Sequence, residues 1–148
     1  MKIRITKHFD FETAHALYGY DGKCKNIHGH SYQLYVTIIG IPINEAESPK
    51  NGMVLDFGDL KHIVHQEIVS VFDHATVLNQ NSPHKELAMK IKQHSPKVLL
   101  VNYQPTSENM IVDFAEKITA KLPSTVALHS LKLYETQNSY AEWYASDQ

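Results

Sequence analysis

Apolar and polar residues alternate with period two at both ends of the chain, and recur at helical spacing in the middle. From Ile3 to His15 the odd positions Ile3, Ile5, Phe9, Phe11 and His15 define one mainly apolar face, which predicts a strand ending at His15. Gly19, Asp21, Gly22 and Asn26 then mark a long loop. Ser31 to Ile41, with Leu34, Val36 and Ile38 on one face, predicts a second strand and hence a hairpin. Pro42, Asn44, Pro49, Asn51 and Gly52 mark a loop before the short extended stretch MVLDF. Leu60, Ile63, Val64, Ile68, Val71 and Phe72 form a helical stripe, with Asp59 as the expected N-cap. DHATVLN is read as an ordered loop. A helix over Ser82–His94, behind Pro83, precedes a short extended segment, KVLLVNY. The strongest helical stripe is Ile111, Phe114, Ala115, Ile118 and Leu122, capped by Thr106 or Ser107 and ended by Pro123. ALHSLKLYET and SYAEWYA predict a closing hairpin that turns at Gln137-Asn138. The order β-β-α-(α)-α-β-β predicts an α+β domain: a four-stranded antiparallel sheet with two main helices on one face, and an added helix within residues 79–103.

Composition narrows the function classes. The 148 residues suit one domain, residues 1–148, with a core of its own. A net charge of -2 gives no reason to expect a nucleic-acid or membrane partner. One cysteine excludes an internal disulfide framework and fits a reducing compartment. The N-terminus lacks the apolar segment of a signal peptide, and the longest aliphatic run, VLLV, is far too short to span a bilayer. A cytoplasmic location is expected. Ten histidines raise the prospect of a metal or acid–base site without locating one.

His28 and His30 are two apart, so both imidazoles point to the same face of an extended segment. His15, at the end of the neighbouring strand, can add a third. Three neutral imidazoles with an open fourth position are a pattern of catalytic zinc. Two alternatives stand beside it: a surface HxH pair with no metal, and a closed structural site with Cys24 as fourth ligand. Cys24, between Lys23 and Lys25 in a polar stretch, is a candidate general base or nucleophile. Asp73 next to His74 could orient the imidazole for proton relay, although sequence neighbours need not face each other. Glu135, near a strand end, is either a solvated glutamate or an acceptor for two parallel N–H bonds from an amidine-like heterocycle.

The series FETAH, C-x3-HGH, GMVLDFGDLK, FDH, PTSEN and YET, from Phe9 to Tyr144, resembles the 6-pyruvoyl-tetrahydropterin synthase superfamily. The resemblance implies the T-fold and assembly into trimers or hexamers with active sites at subunit interfaces. It implies zinc on His15, His28 and His30, Cys24 as proton acceptor, Asp73 and His74 as relay pair, Glu135 as pterin anchor and relay member, and Thr106 near the pterin pocket. Three residues between Cys24 and His28 resemble the 6-carboxy-tetrahydropterin synthases of queuosine biosynthesis. The implied substrate is 7,8-dihydroneopterin triphosphate, with 6-carboxy-tetrahydropterin, acetaldehyde and triphosphate as products. A 6-pyruvoyl-tetrahydropterin synthase or related pterin side-chain lyase is the alternative within the fold, and a non-catalytic zinc module the alternative outside it. Lys23, Lys25, Arg4 and Lys7 are candidate partners for the triphosphate. The stretch from Asn79 to Tyr103 departs from the compact linker of those enzymes: a lid, an interface element or an idle excursion.

Overall fold

The period-two segments become long paired strands. In a computed structural model that describes residues 1–148, β1 (Ile3–His15) and β2 (His28–Gly40) pair antiparallel along their whole length, from Ile3 opposite Gly40 to His15 opposite His28. β5 (Val126–Thr136) pairs antiparallel with β2, and β6 (Ser139–Tyr144) with β5. These are the four antiparallel strands expected from the alternation.

The sheet is wider than that, and mixed. Ala75–Asn79, expected as a loop, is a strand, β3, parallel to the end of β1. Val98–Val101 is β4, parallel to β3, so the order is β4-β3-β1-β2-β5-β6. The residues of β3 hide their nature because they do not alternate: Ala75, Val77 and Leu78 are all buried. Strands covered on both sides lose the period-two signature. Parallel strands need a crossover, and the expected helix supplies it as α3, His84–Lys92. The departure between Asn79 and Tyr103 is thus mostly a β3–α3–β4 unit.

Two helices cover one face. α1 (Phe57–Val64) runs through a π-helical turn (His65–Val69) into α2 (Ser70–Phe72). It starts earlier than expected: Asp56, not Asp59, is the N-cap, its carboxylate accepting from the Gly58 amide at 2.6 Å. Leu60, Val64, Ile68 and Phe72, four apart, are fully buried. α4 (Ser107–Thr119) buries Met110, Ile111, Phe114, Ala115 and Ile118. Both stripes meet Phe9, Phe11, Leu34, Val36, Ile38, Leu131 and Leu133 from the sheet. Phe72 and Phe114 pack edge-to-face at 4.8 Å with Phe11 beside them. Burial of each such side chain contributes roughly 1.5–3 kcal/mol. Gly40 ends β2 where no side chain fits, since a Cβ there would lie 2.9 Å from both Val54 and Val126.

The reverse face of the sheet carries a row of rings, His8, Tyr35, Tyr134 and Tyr140, with centroids 4.5, 6.0 and 4.7 Å apart in turn. Three strand edges have no partner within the chain: β1 before its junction with β3, the outer side of β6 and the outer side of the short β4.

Candidate metal centre and adjoining pocket

His15 closes β1 directly opposite His28, and His30 follows two residues later on the same face of β2. The antiparallel register thus draws three imidazoles together from positions far apart in the chain. The Nε2 atoms of His15 and His28 are 3.1 Å apart. Glu135 joins them: its Oε1 is 3.0 Å from His30 Nε2 and 3.9 Å from His15 Nε2. One donor atom from each of the four residues lies within 4.8 Å of all the others. Cys24 is not among them, and the Glu135 carboxylate stands beside the three imidazoles instead.

The donor chemistry fits a cation. His15 Nδ1 donates to the Pro105 carbonyl at 2.6 Å, and His28 Nδ1 donates to the Asn26 carbonyl at 2.7 Å. Those bonds fix the tautomers and leave the two facing Nε2 atoms as lone-pair donors. Burial holds His15 below its ordinary range, against the upward pull of the Pro105 carbonyl and Glu135. Burial likewise lowers His30, opposed by Glu135. Imidazoles and a carboxylate converging in this way are a ligand set for a divalent metal ion. His30 Nε2, buried without a hydrogen bond, is the donor with most to gain.

Glu135 reaches this point because β5 carries Leu131, Leu133 and Glu135 to the core side in turn, and because Glu135 sits at a β-bulge between Tyr134 and Thr136. Its other oxygen accepts a hydrogen bond from Ser107 Oγ. Ser107, Glu108, Glu135, Ser139, Tyr140 and Ala141 line a cavity of about 90 Å³ beside the cluster. Thr106 is the N-cap of α4, its hydroxyl accepting from the Asn109 amide at 3.3 Å; the neighbouring Ser107 and Glu108, rather than Thr106, border the cavity. Beneath His30 lies Tyr32, fully buried, its hydroxyl without a partner; burial first, then the charge of Glu135, pushes its phenol well up. Alternation after HGH could have pointed to Tyr32. Nothing in the sequence marked Ser107 as a partner of Glu135 or Pro105 as the partner of His15.

Asp73 and His74 do face each other: His74 Nδ1 lies 3.0 Å from Asp73 Oδ2. His74 is the one non-glycine residue in left-handed backbone, at φ 60°, and its amide donates to the Glu12 carbonyl. Asp73 Oδ1 accepts from the Glu12 amide at 2.9 Å, and this bond first, then His74, holds the carboxyl below its ordinary range. His74 opens on a cavity of about 320 Å³ over the side of the sheet that carries the side chains of Glu12, Ala14 and Ser31, with Thr13 and His30 also on its lining. By strand alternation that is the reverse of the side carrying His15, His28 and His30. No hydrogen bond or ion pair joins the dyad to the donor cluster within one chain. Cys24 lies in a short 3₁₀ turn, Lys23–Lys25, half-buried. Arg4 and Lys7 sit near the far end of β1, with Lys7 about 26 Å along the strand from His15 at ~3.3 Å per residue. Lys23 and Lys25 flank the thiol itself.

A curled mixed sheet with its two main helices on one face, bearing a three-histidine cluster on its first hairpin, is the architecture of the pterin-processing T-fold enzymes. The chain belongs to the 6-pyruvoyl tetrahydropterin synthase family, whose description it matches over residues 4–146. It is 35% identical over 143 residues to the 6-carboxy-5,6,7,8-tetrahydropterin synthase of Rickettsia typhi, covering 95% of this chain and 99% of that protein. It is 35% identical over 142 residues to the Haemophilus influenzae protein of the same name, covering 95% and 98%. In fold it resembles an uncharacterised Wolinella succinogenes protein (TM-score 0.82, 20% identity, 98% and 99% coverage). It also resembles the 6-pyruvoyl tetrahydropterin synthase of Caenorhabditis elegans (TM-score 0.68, 23% identity, 98% and 96% coverage).

Proposed function

We propose that the chain is a zinc-dependent 6-carboxy-5,6,7,8-tetrahydropterin synthase acting on 7,8-dihydroneopterin triphosphate in queuosine biosynthesis, with acetaldehyde and triphosphate as further products. One observation carries this: the converging ring nitrogens of His15, His28 and His30 beside Glu135, in a chain 35% identical along nearly its whole length to proteins of that name. Zinc on the three imidazoles would act as a Lewis acid on substrate side-chain oxygens. Glu135, at the border of cluster and cavity, accepts paired N–H bonds from the pterin edge, with Ser107 holding its second oxygen. Thr106 orders the start of α4 beside that pocket. Cys24 takes the proton released from the side chain, and His74, oriented by Asp73, passes a proton on. Lys23 and Lys25 meet the triphosphate.

Because the dyad opens on the other side of the sheet from the cluster, the complete site forms between subunits. The open edges of β1 and β6 support a homo-oligomer, trimer or hexamer, closed by strand pairing. No helix is long and apolar enough to cross a membrane, and the proposed setting is the cytoplasm. The test is incubation of zinc-loaded protein with 7,8-dihydroneopterin triphosphate. Acetaldehyde with 6-carboxy-tetrahydropterin is the expected outcome. A 6-pyruvoyl product would assign the other branch of the family, and no turnover would refute the lyase.

A further inference from the structure

The loop from Ala16 to Ile27 that carries Cys24 is fastened at its root by the β3–α3–β4 unit and by Gln104, three residues past β4. Ala16 is fully buried in a small core with Leu78 of β3 and Ala88 of α3, ringed by Ile91, Val98 and Leu100. Tyr18 is held twice. Its carbonyl accepts from Gln104 Nε2 at 2.9 Å, and its ring meets the ring of His84 at 5.3 Å, close to perpendicular. Between these two anchored residues, the Leu17 amide donates to the Cys24 carbonyl at 2.9 Å. Gly19, at φ 77°, turns the chain immediately after Tyr18 so that it can return. The thiol residue therefore hangs by its backbone from the one position whose two neighbours are both clamped.

The His84 contact is not a chance surface touch. An imidazole in the first turn of an exposed helix would ordinarily keep both nitrogens in water. Here Nδ1 is buried with no hydrogen-bond partner, a loss accepted where the ring turns inward.

We propose that the β3–α3–β4 unit is a buttress for the thiol loop, with Tyr18, His84 and Gln104 as positioning residues that set where Cys24 stands. This rests on Cys24 as the reacting thiol of the proposed reaction. The unit is then neither a lid nor an idle excursion. The ring contact and the Gln104 bond act through Tyr18 and are separate from the β3–β1 pairing that backs His15, so loosening them leaves the donor cluster intact and frees the thiol.

Cys24 is the sole thiol of the chain, so its alkylation by iodoacetamide reads its exposure directly, with no substrate present. The zinc-loaded full chain is compared with Tyr18→Ala, His84→Ala, the double variant, Tyr18→Phe and the helix-surface control Met89→Ala. Loss of the ring contact is expected to raise the alkylation rate about fivefold in either alanine variant. The double variant should go no further, and Tyr18→Phe and Met89→Ala should behave as wild type. In turnover, kcat should fall in the alanine variants while KM and zinc content hold. Should an alanine variant fail to fold, Gln104→Ala removes only the bond to the Tyr18 carbonyl, and the same rise is expected. Unchanged alkylation in the folded variants, or strictly additive effects in the double, overturns the buttress. A wild-type chain that forms no pterin product would sink the proposed reaction instead, and the alkylation rates would still decide the loop.

Discussion

At the residue scale, the behaviour of the cluster follows from which nitrogen each imidazole turns inward. Two Nε2 lone pairs 3.1 Å apart repel unless a proton or a cation lies between them. One metal ion per chain is expected, and His28→Ala/His30→Ala should abolish it; elemental analysis showing full occupancy in that double variant would reject the site. Tyr32 makes a second case. Its hydroxyl is buried without a hydrogen bond, so Tyr32→Phe should not lower stability and should raise the unfolding free energy read from urea titration by up to about 1 kcal/mol. A clear drop would mean the hydroxyl has a partner after all. Asp73 gives a pH signature. Its carboxyl is held below the ordinary 3.8, chiefly by the Glu12 amide and then by His74. A depressed folded pKa stabilises fully above the unfolded value, and that contribution disappears as pH falls through the lowered one. The difference in urea midpoint between wild type and Asp73→Asn should be largest above pH 4 and close below it. A gap that is constant with pH would remove the carboxylate from the account. The histidine cluster was legible in the sequence because strand period two is rigid geometry. The place of Glu135 beside it was not, because alternation gives the face a side chain takes and not the neighbour it meets across strands.

At the scale of elements, the segments with strong periodicity were legible and those whose character depends on neighbours were not. α4 and the two hairpins stand where the apolar positions put them. β3 is a strand because β1 offers it an edge beside Thr13–His15, and its buried, unalternating residues gave no sign of that. The start of α1 was misplaced because two aspartates compete, and only Asp56 has the extended backbone that lets its carboxylate reach the Gly58 amide. At α4 the adjacent hydroxyls Thr106 and Ser107 divide the work: one caps the helix, the other holds Glu135. Thr106→Ala should therefore lower stability by about 1 kcal/mol with pterin affinity nearly unchanged. Ser107→Ala should weaken pterin binding several-fold with a smaller effect on stability. Calorimetric melting alongside titration of a pterin checks both, and the reverse pattern would exchange the two roles.

At the scale of the whole molecule, the separation of dyad and donor cluster to opposite sides of one sheet makes a sharp prediction. Cys24→Ala and His74→Ala should each be inactive alone. Mixed and reassembled, they should regain a measurable fraction of wild-type activity, because some interfaces then pair an intact thiol with an intact dyad. Light scattering should give a mass that is a multiple of three chains of 16.9 kDa. A monomer, or no recovery on mixing, would require each chain to complete its own site. The open edges of β1 and β6 have one more consequence, for the life of the chain before it meets its copies. An unpartnered strand edge accepts any extended segment, and in the proposed oligomer pairing between copies would cover the edges of β1 and β6. A freshly made chain is therefore in a race between assembly, whose rate rises with its own concentration, and capture by other exposed strands. Slow, dispersed synthesis would be the condition under which this fold is most at risk, and co-localised translation the condition that protects it.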